Sequence, residues 1–373
     1  MIIGIEAQRL FRKEKHGMDY VVLNELRQIQ QIDQENEYYV FVKSGEDHCL
    51  RSTDNMHVVE LHCPTYFLWE QWALPRAARR LGVKLLHCTS NTAPLWCNIP
   101  LLLTLHDVIF MEGPSHSASM YQRLGNVYRR HVVPRVVPKC VRIITVSNYE
   151  RNNIVQTLRI PQNRITVLHN GYDDIYKPIG NGTVIQKKYI DQPDYFFILG
   201  NTDTRKNIER MLTAYATYLE KSAIKRKLLM TSLKEDYLSE ILERNNIRHI
   251  RDRIVLTGYV PIEDLPYLYN FAFAFLFVSL REGFGIPILE SMACGTPVIT
   301  SDTSSMPEVA GEKALLVSPE DTEGISQMML RLEEDEDLYN TQREYGIQHV
   351  RSFSWKETTK KLLNIYKDIY ETT

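Results

Sequence analysis

The segment AFAFLFVSLREGFGIPILESMACGTPVITSD, residues 272–302, carries the clearest sign of the fold. Its apolar opening predicts a strand that is buried on both faces. A glycine-containing turn follows. Pro287 then suits the first turn of a helix, and Gly295 suits its end. The run after Thr296 predicts a second strand, so the segment predicts one unit of a parallel sheet covered by helices.

The same alternation extends in both directions along the chain. Strands are predicted at IIGIEA, EYYVFVK, KLLHCT, PLLLTLHD, VRIITVS and RITVLHNG, and again at YFFILG, KRKLLMTS, RIVLTGYV and KALLVSP. The polar segment between the two series predicts a linker. We therefore expect an α/β protein of two Rossmann-like, doubly wound lobes that face each other across a cleft. We predict an N-terminal lobe at residues 1–175, a linker at 176–194 and a C-terminal lobe at 195–352. A C-terminal helix at 353–373 is predicted to pack back toward the first lobe.

Composition excludes several classes of protein. The chain has 373 residues, 44% of them hydrophobic, and a formal net charge of -2, which argues against bulk disorder and against a general nucleic-acid binder. The six cysteines are scattered without a C-x-x-C pair, so neither a zinc nor a redox motif is indicated, and a reducing cytoplasm fits best. The N-terminus lacks a secretory pattern, and no apolar run is long enough to span a bilayer. Any membrane contact is therefore expected to be peripheral.

Positive charge is concentrated in the first half of the chain. Residues 113–149 contain no acidic residue. The basic residues of this segment and of a smaller upstream cluster are Arg123, Arg129, Arg130, Arg135, Lys139 and Arg142, with Arg76, Arg79, Arg80 and Lys84. Two interpretations stay open: solvated helix faces, or a basic surface for an anionic acceptor or a membrane face.

Two glutamates stand out in the opening segment. Glu290 falls within an almost wholly apolar helix, where an unpaired carboxylate would cost several kcal/mol, roughly. A ligand with adjacent hydroxyls, such as a ribose, would supply donors to it. Glu282 lies at the strand end, where a sugar could bind, and the amides of the following turn could hold phosphate or sugar oxygens. The alternative interpretation is that Glu290 only complements the helix dipole and that Glu282 is a solvated acid of a loop.

Charged residues also follow other predicted strands. Arg205 and Lys206 come just before a helix for which Asn207 suggests an N-cap, a poor place for two cations unless a diphosphate binds there. His106 ends the strand PLLLTL and could contact a substrate hydroxyl, although a lone histidine is more often structural. Ser305 and Glu308 have the spacing of a capping box.

Together these motifs resemble the retaining nucleotide-sugar glycosyltransferases of the GT-B fold. The closest likeness is to bacterial enzymes of cell-surface polysaccharide synthesis, including many mannosyltransferases. The likeness rests on EGFGIPILE followed by CGTPVITSDTSSMPEVAG, and on TRKN, LTLHDV, ITVSNYERNNI, VLHNGYDDIYKP, LTGYV and FSW, in the expected order.

The resemblance implies roles for particular residues. It implies that Glu282 contacts the transferred sugar, that Glu290 holds the ribose, and that His106 lies near the reacting sugar, so Glu282 and His106 are the predicted catalytic residues. The remaining predicted donor-binding residues are Arg205 and Lys206 for the diphosphate, the turn residues Gly283, Phe284, Gly285 and Ile286, and Gly17. The family often has a pair of glycines at the position of Gly17, whereas in this sequence Met18 follows Gly17.

The resemblance also implies the chemistry. We expect a hexose to pass from a nucleoside diphosphate sugar to a glycan or a lipid-pyrophosphate-linked acceptor with retained anomeric configuration, without metal or other cofactor. GDP-mannose is the favoured donor, with UDP-glucose or UDP-N-acetylglucosamine as alternatives. The enzyme is expected in the cytoplasm, at the inner face of the membrane through its basic first lobe, with no nucleic-acid partner.

Other functions remain open. A sugar phosphorylase or a non-hydrolysing nucleotide-sugar epimerase could use the same fold, and a non-catalytic nucleotide-sugar-binding subunit is a third reading. A dehydrogenase is disfavoured, because no G-x-G-x-x-G follows a predicted strand.

Overall fold

The computed structural model describes residues 1–112, 120–180 and 183–372. Residues 113–119 of the acid-free segment, residues 181–182 of the predicted linker and residue 373 lie outside the described residues. The chain forms two compact units. The first holds the described residues up to 171 together with residues 354–372, and the second holds residues 172–353.

The first unit is built on a seven-stranded sheet in which every pairing is parallel, in the order β3-β2-β1-β4-β5-β6-β7. Its strands are β1 Ile2–Glu6, β2 Glu37–Val42, β3 Met56–Glu60, β4 Leu85–Cys88, β5 Leu101–Thr104, β6 Arg142–Thr145 and β7 Ile165–Val167. Its helices are α1 Gly17–Ile32, α2 Tyr66–Leu68, α3 Leu74–Arg80, α4 Met120–Val136 and α5 Asn148–Leu158. A π-helical turn, Trp69–Ala73, joins α2 to α3.

The second unit is built on a six-stranded parallel sheet in the order β10-β9-β8-β11-β12-β13. Its strands are β8 Tyr195–Leu199, β9 Leu228–Thr231, β10 Ile254–Leu256, β11 Ala272–Phe277, β12 Val298–Ser301 and β13 Leu315–Val317. Its helices are α6 Thr183–Gln186, α7 Ile208–Lys221, α8 Glu235–Arg244, α9 Leu265–Asn270, α10 Ile286–Ala293, α11 Met306–Ala310, α12 Thr322–Glu334 and α13 Glu336–His349.

Both sheets therefore contain the strand order 3-2-1-4-5-6 of the doubly wound Rossmann fold, so the predicted pair of parallel-sheet units is confirmed. The chain changes direction along the sheet between β1 and β4 in the first unit, and between β8 and β11 in the second. Loops that follow the strands at such a switch point are the usual ligand sites of open α/β sheets. The loops after β8 and β11 are the two that hold the predicted diphosphate and sugar residues.

The last helix, α14 (Trp355–Thr372), belongs to the first unit. Leu362, Ile365 and Tyr366 are buried in the same core cluster as strand residues of β1 and β2. The hydroxyl of Tyr366 lies 2.8 Å from Nδ1 of the buried His87 on β4, and the opposite ring nitrogen of His87 lies 2.8 Å from the Thr104 hydroxyl. The amphipathic pattern of the C-terminal segment thus corresponds to one face of α14 that covers the first sheet.

The boundaries of the units differ from the predicted ones. The second unit begins at residue 172 and ends at residue 353, whereas the sequence suggested a linker at 176–194 and a lobe at 195–352. The predicted linker lies within the second unit. The Ile179 amide donates to the Asn270 side chain at 2.7 Å, and the Tyr189 hydroxyl donates to Asp264 at 2.6 Å. Polar side chains thus attach a segment whose composition resembles a loop.

In the part of the chain that the structure describes, no helix is both long enough and apolar enough to cross a membrane.

Candidate active site

The candidate site of the second unit is formed by the loops that follow β8 and β11. The loop after β8 contains a 3-10 turn, Thr204–Lys206, and the backbone amide of Leu280 donates to the Arg205 carbonyl at 2.7 Å. The two loops at the switch point are thus joined through their backbones, and the predicted diphosphate and sugar residues become neighbours.

Asn207 strengthens this connection. Its side-chain amide donates to the carbonyls of Val278, at 2.9 Å, and Pro319, at 2.7 Å, and the residue is buried. Its φ of 59° is in the left-handed region that asparagine tolerates better than most residues. Asn207 does occupy the N-cap position of α7, but its side chain makes no capping hydrogen bond. The prediction of a capping side chain is therefore wrong, because the side-chain oxygen that would cap the helix accepts from the Arg210 guanidinium at 3.1 Å instead.

Lys206 and Glu282 form an ion pair across the two loops. Nζ of Lys206 lies 2.6 Å from Oε1 of Glu282 and 5.5 Å from the centre of the Phe277 ring. The side chains are 27% and 14% exposed, so the pair is reachable from solvent although most of it is covered. The chain thus offsets one of the two cations that precede α7.

Arg205 is held differently. Its guanidinium contacts the Asp203 carboxylate two residues earlier, and its backbone amide donates to the same carboxylate at 3.0 Å. Burial raises the pKa of Asp203, but the hydrogen bonds from Arg205 outweigh that effect and leave the pKa below its ordinary value. The carboxylate of Asp203, which the sequence reasoning missed, therefore stays charged and fixes the arginine in its own turn.

Hydroxyls that follow β12 hold the turn before α10. The Ser304 hydroxyl accepts from the Glu282 amide at 3.1 Å and donates to the Glu282 carbonyl at 2.7 Å. The Ser305 hydroxyl lies 3.0 Å from the Glu282 carbonyl and 2.8 Å from the Phe284 carbonyl. Ser305 makes no side-chain cap for α11, so the predicted capping role of this serine is wrong. Its hydroxyl supports the backbone of the glutamate turn instead.

Gly285 is required by the geometry of that turn. It precedes α10 with φ of 107°, a conformation that side-chain-bearing residues rarely adopt. A Cβ there would also meet the Ile288 side chain at 3.2 Å. The backbone therefore turns sharply from Glu282 into the helix. Phe284 is buried, with its ring 6.1 Å from the Phe353 ring, so it serves the core of the unit.

Glu290 lies one turn into α10 and is half-buried. The Tyr269 hydroxyl on α9 donates to Oε2 of Glu290 at 3.1 Å. Burial raises the pKa of Glu290 to about 7, against the opposing effect of the Tyr269 and Tyr176 hydroxyls, with a further rise from Asp173. The sequence indicated the cost of this acid but missed its tyrosine partners, because nothing in the local pattern points to a hydroxyl 21 residues away.

In the first unit, His106 is buried just after β5. Its Nε2 lies 2.9 Å from the Thr89 carbonyl, and its backbone amide donates to the Asn91 side chain at 2.6 Å. Burial lowers the pKa of His106. A neutral ring that donates from Nε2 to a carbonyl presents Nδ1 as an acceptor. Glu6 in turn accepts from the Thr89 amide at 3.2 Å, which fixes the segment that orients the histidine.

Gly17 is the first residue of α1 and is exposed. A Cβ at this position would meet nothing within 4 Å. The structure therefore supplies no steric reason for glycine in the place where the resemblance implied donor contact. Within the ranges that the structure describes, no group of three or more His, Cys, Asp or Glu side chains could hold a metal ion.

Comparisons with known proteins agree with this architecture. The profile of "Glycosyl transferases group 1" matches residues 181–349, and that of "Glycosyltransferase Family 4" matches residues 17–175. The O-antigen chain mannosyltransferase B of Escherichia coli is 31% identical over 274 residues, which are 71% of this chain and 69% of that protein. The chain belongs to the group 1 glycosyltransferases.

Further similarities support this membership. The O-antigen chain mannosyltransferase RfbU of Salmonella typhimurium is 27% identical over 270 residues, which cover 72% of this chain and 70% of that protein. A crystal structure of Anabaena HepE in complex with UDP-glucose matches 99% of this chain and 100% of its own with a TM-score of 0.75 at 15% identity. That likeness supports the GT-B fold of this group 1 glycosyltransferase.

Proposed function

We propose that the protein transfers mannose from GDP-mannose to a glycan or lipid-linked acceptor in cell-surface polysaccharide synthesis, with retention of anomeric configuration. The observation that carries the proposal is the Lys206–Glu282 pair at the switch point of the second unit, beside the turn that begins α10. A cation and a carboxylate side by side suit a donor that presents a diphosphate next to sugar hydroxyls. The names of two relatives, both mannosyltransferases, favour mannose.

In the proposed reaction the bond between the anomeric carbon and the diphosphate oxygen breaks, and a bond from the acceptor oxygen to that carbon forms on the same face. The leaving diphosphate gains negative charge as the first bond breaks. Lys206, Arg205 and the amides at the start of α10 would stabilise that charge. The acceptor proton passes to the departing phosphate oxygen. Because these side chains supply the charge stabilisation, the proposal includes no metal.

Glu282 has two tasks in this scheme. In the structure it pairs with Lys206, and its backbone is held on both sides by serine hydroxyls. When the donor binds, Lys206 donates hydrogen bonds to the diphosphate as well as to Glu282, and the Glu282 carboxylate accepts hydrogen bonds from sugar hydroxyls. Glu282 thereby orients the sugar before its bond to the diphosphate breaks. In the first unit, Nδ1 of His106 is proposed to accept from a substrate hydroxyl.

The donor is tested by incubating the enzyme with an acceptor panel and either GDP-mannose, UDP-glucose or UDP-N-acetylglucosamine. Products are identified by mass spectrometry, and the anomeric configuration by NMR. We expect mannose transfer with release of GDP only when an acceptor is present. Transfer from a UDP-sugar alone would overturn the mannose assignment. Nucleotide release that produces no glycoside, with isomerised or phosphorylated sugar instead, would favour an epimerase or a phosphorylase.

The first unit has a surface that fits a lipid-linked acceptor. Phe67, Leu68 and Trp72 are 50%, 41% and 59% exposed on and after α2, and on α4 Leu124 and Val127 are 65% and 62% exposed. Aromatic contact joins the two groups, since the Phe67 ring lies 6.0 Å from the Tyr128 ring. We propose that these five exposed residues act together as one apolar patch.

The patch is accompanied by cations. The Arg76 guanidinium lies 5.4 Å from the Trp72 ring centre, and the basic helix α4 supplies Arg129 and Arg130. Aromatic and aliphatic residues next to arginine are the combination that binds the interface of an anionic bilayer. We propose that the patch contacts the membrane that holds the acceptor lipid, which places the enzyme in the cytoplasm at the inner face of the membrane.

Membrane contact is tested by flotation with vesicles of phosphatidylcholine alone and with added phosphatidylglycerol. We expect the wild type to float with the anionic vesicles and the double variant Phe67→Ser, Trp72→Ser to stay at the bottom, because the apolar contribution is lost. A variant at an exposed aromatic residue of the second unit, Tyr259→Ser, is the matched control. Equal flotation of the double variant and the control would contradict the proposal.

A further inference from the structure

Glu290 is bounded by the side chains of two other segments. Tyr269 on α9 is fully buried and donates its hydroxyl to Oε2 of Glu290 at 3.1 Å. Tyr176, in the stretch that precedes α6, is buried, and its ring lies edge-on to the Tyr269 ring at 5.8 Å. The titratable groups that act on Glu290 are these two tyrosines, Asp173 on the segment of Tyr176, and Cys294 at the end of α10.

The two hydroxyls differ in their geometry. The Tyr269 hydroxyl has no other described acceptor, so the carboxylate is what satisfies it. The Tyr176 hydroxyl is buried and makes no hydrogen bond of ordinary geometry within the described residues, although it also opposes the rise in the pKa of Glu290. A phenol hydroxyl that donates to one carboxylate oxygen fixes the rotation of that carboxylate and leaves its other oxygen for a different donor.

We propose that Tyr269 is a positioning residue, which holds the Glu290 carboxylate in the orientation that receives the ribose hydroxyls of the donor nucleotide. This inference rests on the proposed function, because it needs a nucleotide sugar in the second unit. Tyr269 itself touches no substrate. The Tyr176 hydroxyl can donate a second hydrogen bond to Glu290 when that carboxylate is ionised.

The arrangement has a measurable consequence. The pKa of Glu290 is raised to about 7, so near neutral pH part of the enzyme holds a protonated Glu290, which is a poorer acceptor for ribose hydroxyls. Donor binding should therefore release a proton near neutral pH and tighten as the pH rises. An intact nucleoside diphosphate sugar suits the test, because its diphosphate has no proton to lose in that range.

The experiment is calorimetric titration of GDP-mannose, and separately of UDP-glucose, into the enzyme without acceptor, from pH 5.5 to pH 9 and in two buffers of different ionisation enthalpy. For Tyr269→Phe, we expect the midpoint of the affinity profile to move up by about one pH unit, the equivalent of one hydrogen bond to a charged group. At pH 7 this corresponds to binding that is about fivefold weaker. At pH 9, where Glu290 is ionised in both proteins, the affinity of the variant should stay below that of the wild type, because the carboxylate is no longer held in one orientation.

Two control variants separate positioning from packing. Tyr195→Phe also removes a buried tyrosine hydroxyl that contacts α9, since Tyr195 donates to the Leu268 carbonyl at 2.8 Å, but this hydroxyl does not contact Glu290. It should leave the midpoint unchanged even if it lowers Tm. Glu290→Gln should remove the pH dependence and the proton release. Tyr176→Phe should move the midpoint in the same direction as Tyr269→Phe by a smaller amount, and it serves if Tyr269→Phe does not fold.

The outcomes distinguish the two proposals. A wild type that binds neither donor at any pH would overturn the proposed function. A wild type that binds the donor with a midpoint that neither Tyr269→Phe nor Tyr176→Phe moves would overturn this inference and leave the function intact. An upward shift by Tyr195→Phe as large as that of Tyr269→Phe would also overturn it, because general loosening of α9 would then explain the effect.

Discussion

Lys206 and Glu282 lie 2.6 Å apart in the second unit, and each restricts the other. Lys206 comes just before α7, where the helix dipole already favours negative charge. Glu282 supplies that charge in the structure, and a diphosphate would supply more of it when the donor binds. In the proposed function, a pair that keeps two charges partly out of water becomes a contact for the donor.

Replacement of Lys206 should show whether it serves transfer. For Lys206→Ala we expect kcat/KM to fall by about 100-fold, because a cation aimed at developing negative charge is lost. Steady-state kinetics with the natural donor measures it. Lys221→Ala is the matched control, because Lys221 also pairs with a glutamate of the second unit but both side chains are about half exposed. Similar losses in the two variants would contradict a specific role for Lys206.

Some residue contacts of the second unit could be predicted from the sequence and others could not. Glu282, Arg205 and Lys206 could be predicted as neighbours, because each follows a strand of a predicted parallel sheet. Asn207 was identified, but its role was not, because its carbonyl partner on Pro319 lies 112 residues away. Ser304 and Ser305 were missed as supports of the turn, since a serine before a short helix predicts a cap. Contacts between distant loops leave no periodic pattern to detect.

At the scale of elements, the turn from β11 into α10 depends on backbone conformation as well as on side chains. Gly285 has a φ that other residues avoid, and Ile288 and Phe277 pack against the space that a Cβ would fill. Serine hydroxyls after β12 hold the carbonyls on the other side. The start of α10 is thus held at one defined place relative to Glu282.

Gly285→Ala tests this turn. We expect a loss of about 2 kcal/mol in unfolding free energy, from the strained φ and the close contact, together with a raised donor KM. Urea unfolding and steady-state kinetics measure the two effects. Gly17→Ala is the comparison, because its Cβ would meet nothing within 4 Å. It should leave both quantities near those of the wild type, and a rise in donor KM would restore the donor role that the resemblance implied.

The strands and their order could be predicted better than the connections. Apolar runs such as the one in β11 identify strands buried on both faces, and their alternation with helices predicts parallel pairing. The segment 176–194 reads as a linker from its composition, yet it is part of the second unit. Its attachment combines the buried side chains of Tyr176 and Ile190 with polar contacts such as the one from Tyr189 to Asp264. Such contacts do not alter local hydrophobicity, so a sequence pattern cannot reveal them.

At the scale of the whole molecule, each unit contains a core cluster built from its own described residues, and α14 packs into a cluster of the first unit. The Tyr366 hydroxyl on α14 lies 2.8 Å from Nδ1 of the buried His87. Two cooperative units should unfold in two transitions. A change in α14 should then act on one transition and leave the other unchanged.

For Tyr366→Phe we expect the first unit to lose about 1–2 kcal/mol in unfolding free energy, because Nδ1 of the buried His87 loses its hydroxyl partner while the other ring nitrogen keeps Thr104. Urea unfolding can be followed by fluorescence for the first unit, where all four tryptophans lie. Tyr370→Phe, on the same helix but 63% exposed, should change nothing. Equal losses in the transitions of both units would show that the units are not independent.

The same histidine predicts a pH dependence. Burial lowers the pKa of His87 to about 3, against an ordinary 6.5. Between pH 3 and pH 6.5 His87 is protonated in the unfolded chain but neutral in the folded unit. Its contribution to the free energy of unfolding is therefore fully present above pH 6.5 and is lost progressively as the pH falls toward 3. The tryptophan-reported transition should move to lower urea between pH 7 and pH 4. His87→Gln should weaken this dependence, and an unchanged slope would assign it to other groups.

The return of α14 to the first unit has a consequence for synthesis on the ribosome. The strands of the first sheet are translated before residue 172, but the helix that covers one face of them is made only after the entire second unit. During that interval the nascent chain exposes the apolar surface of the first unit that Leu362, Ile365 and Tyr366 later cover. A chaperone that shields this surface until translation passes residue 372 would raise the yield of active enzyme, whereas the second unit could mature without such help.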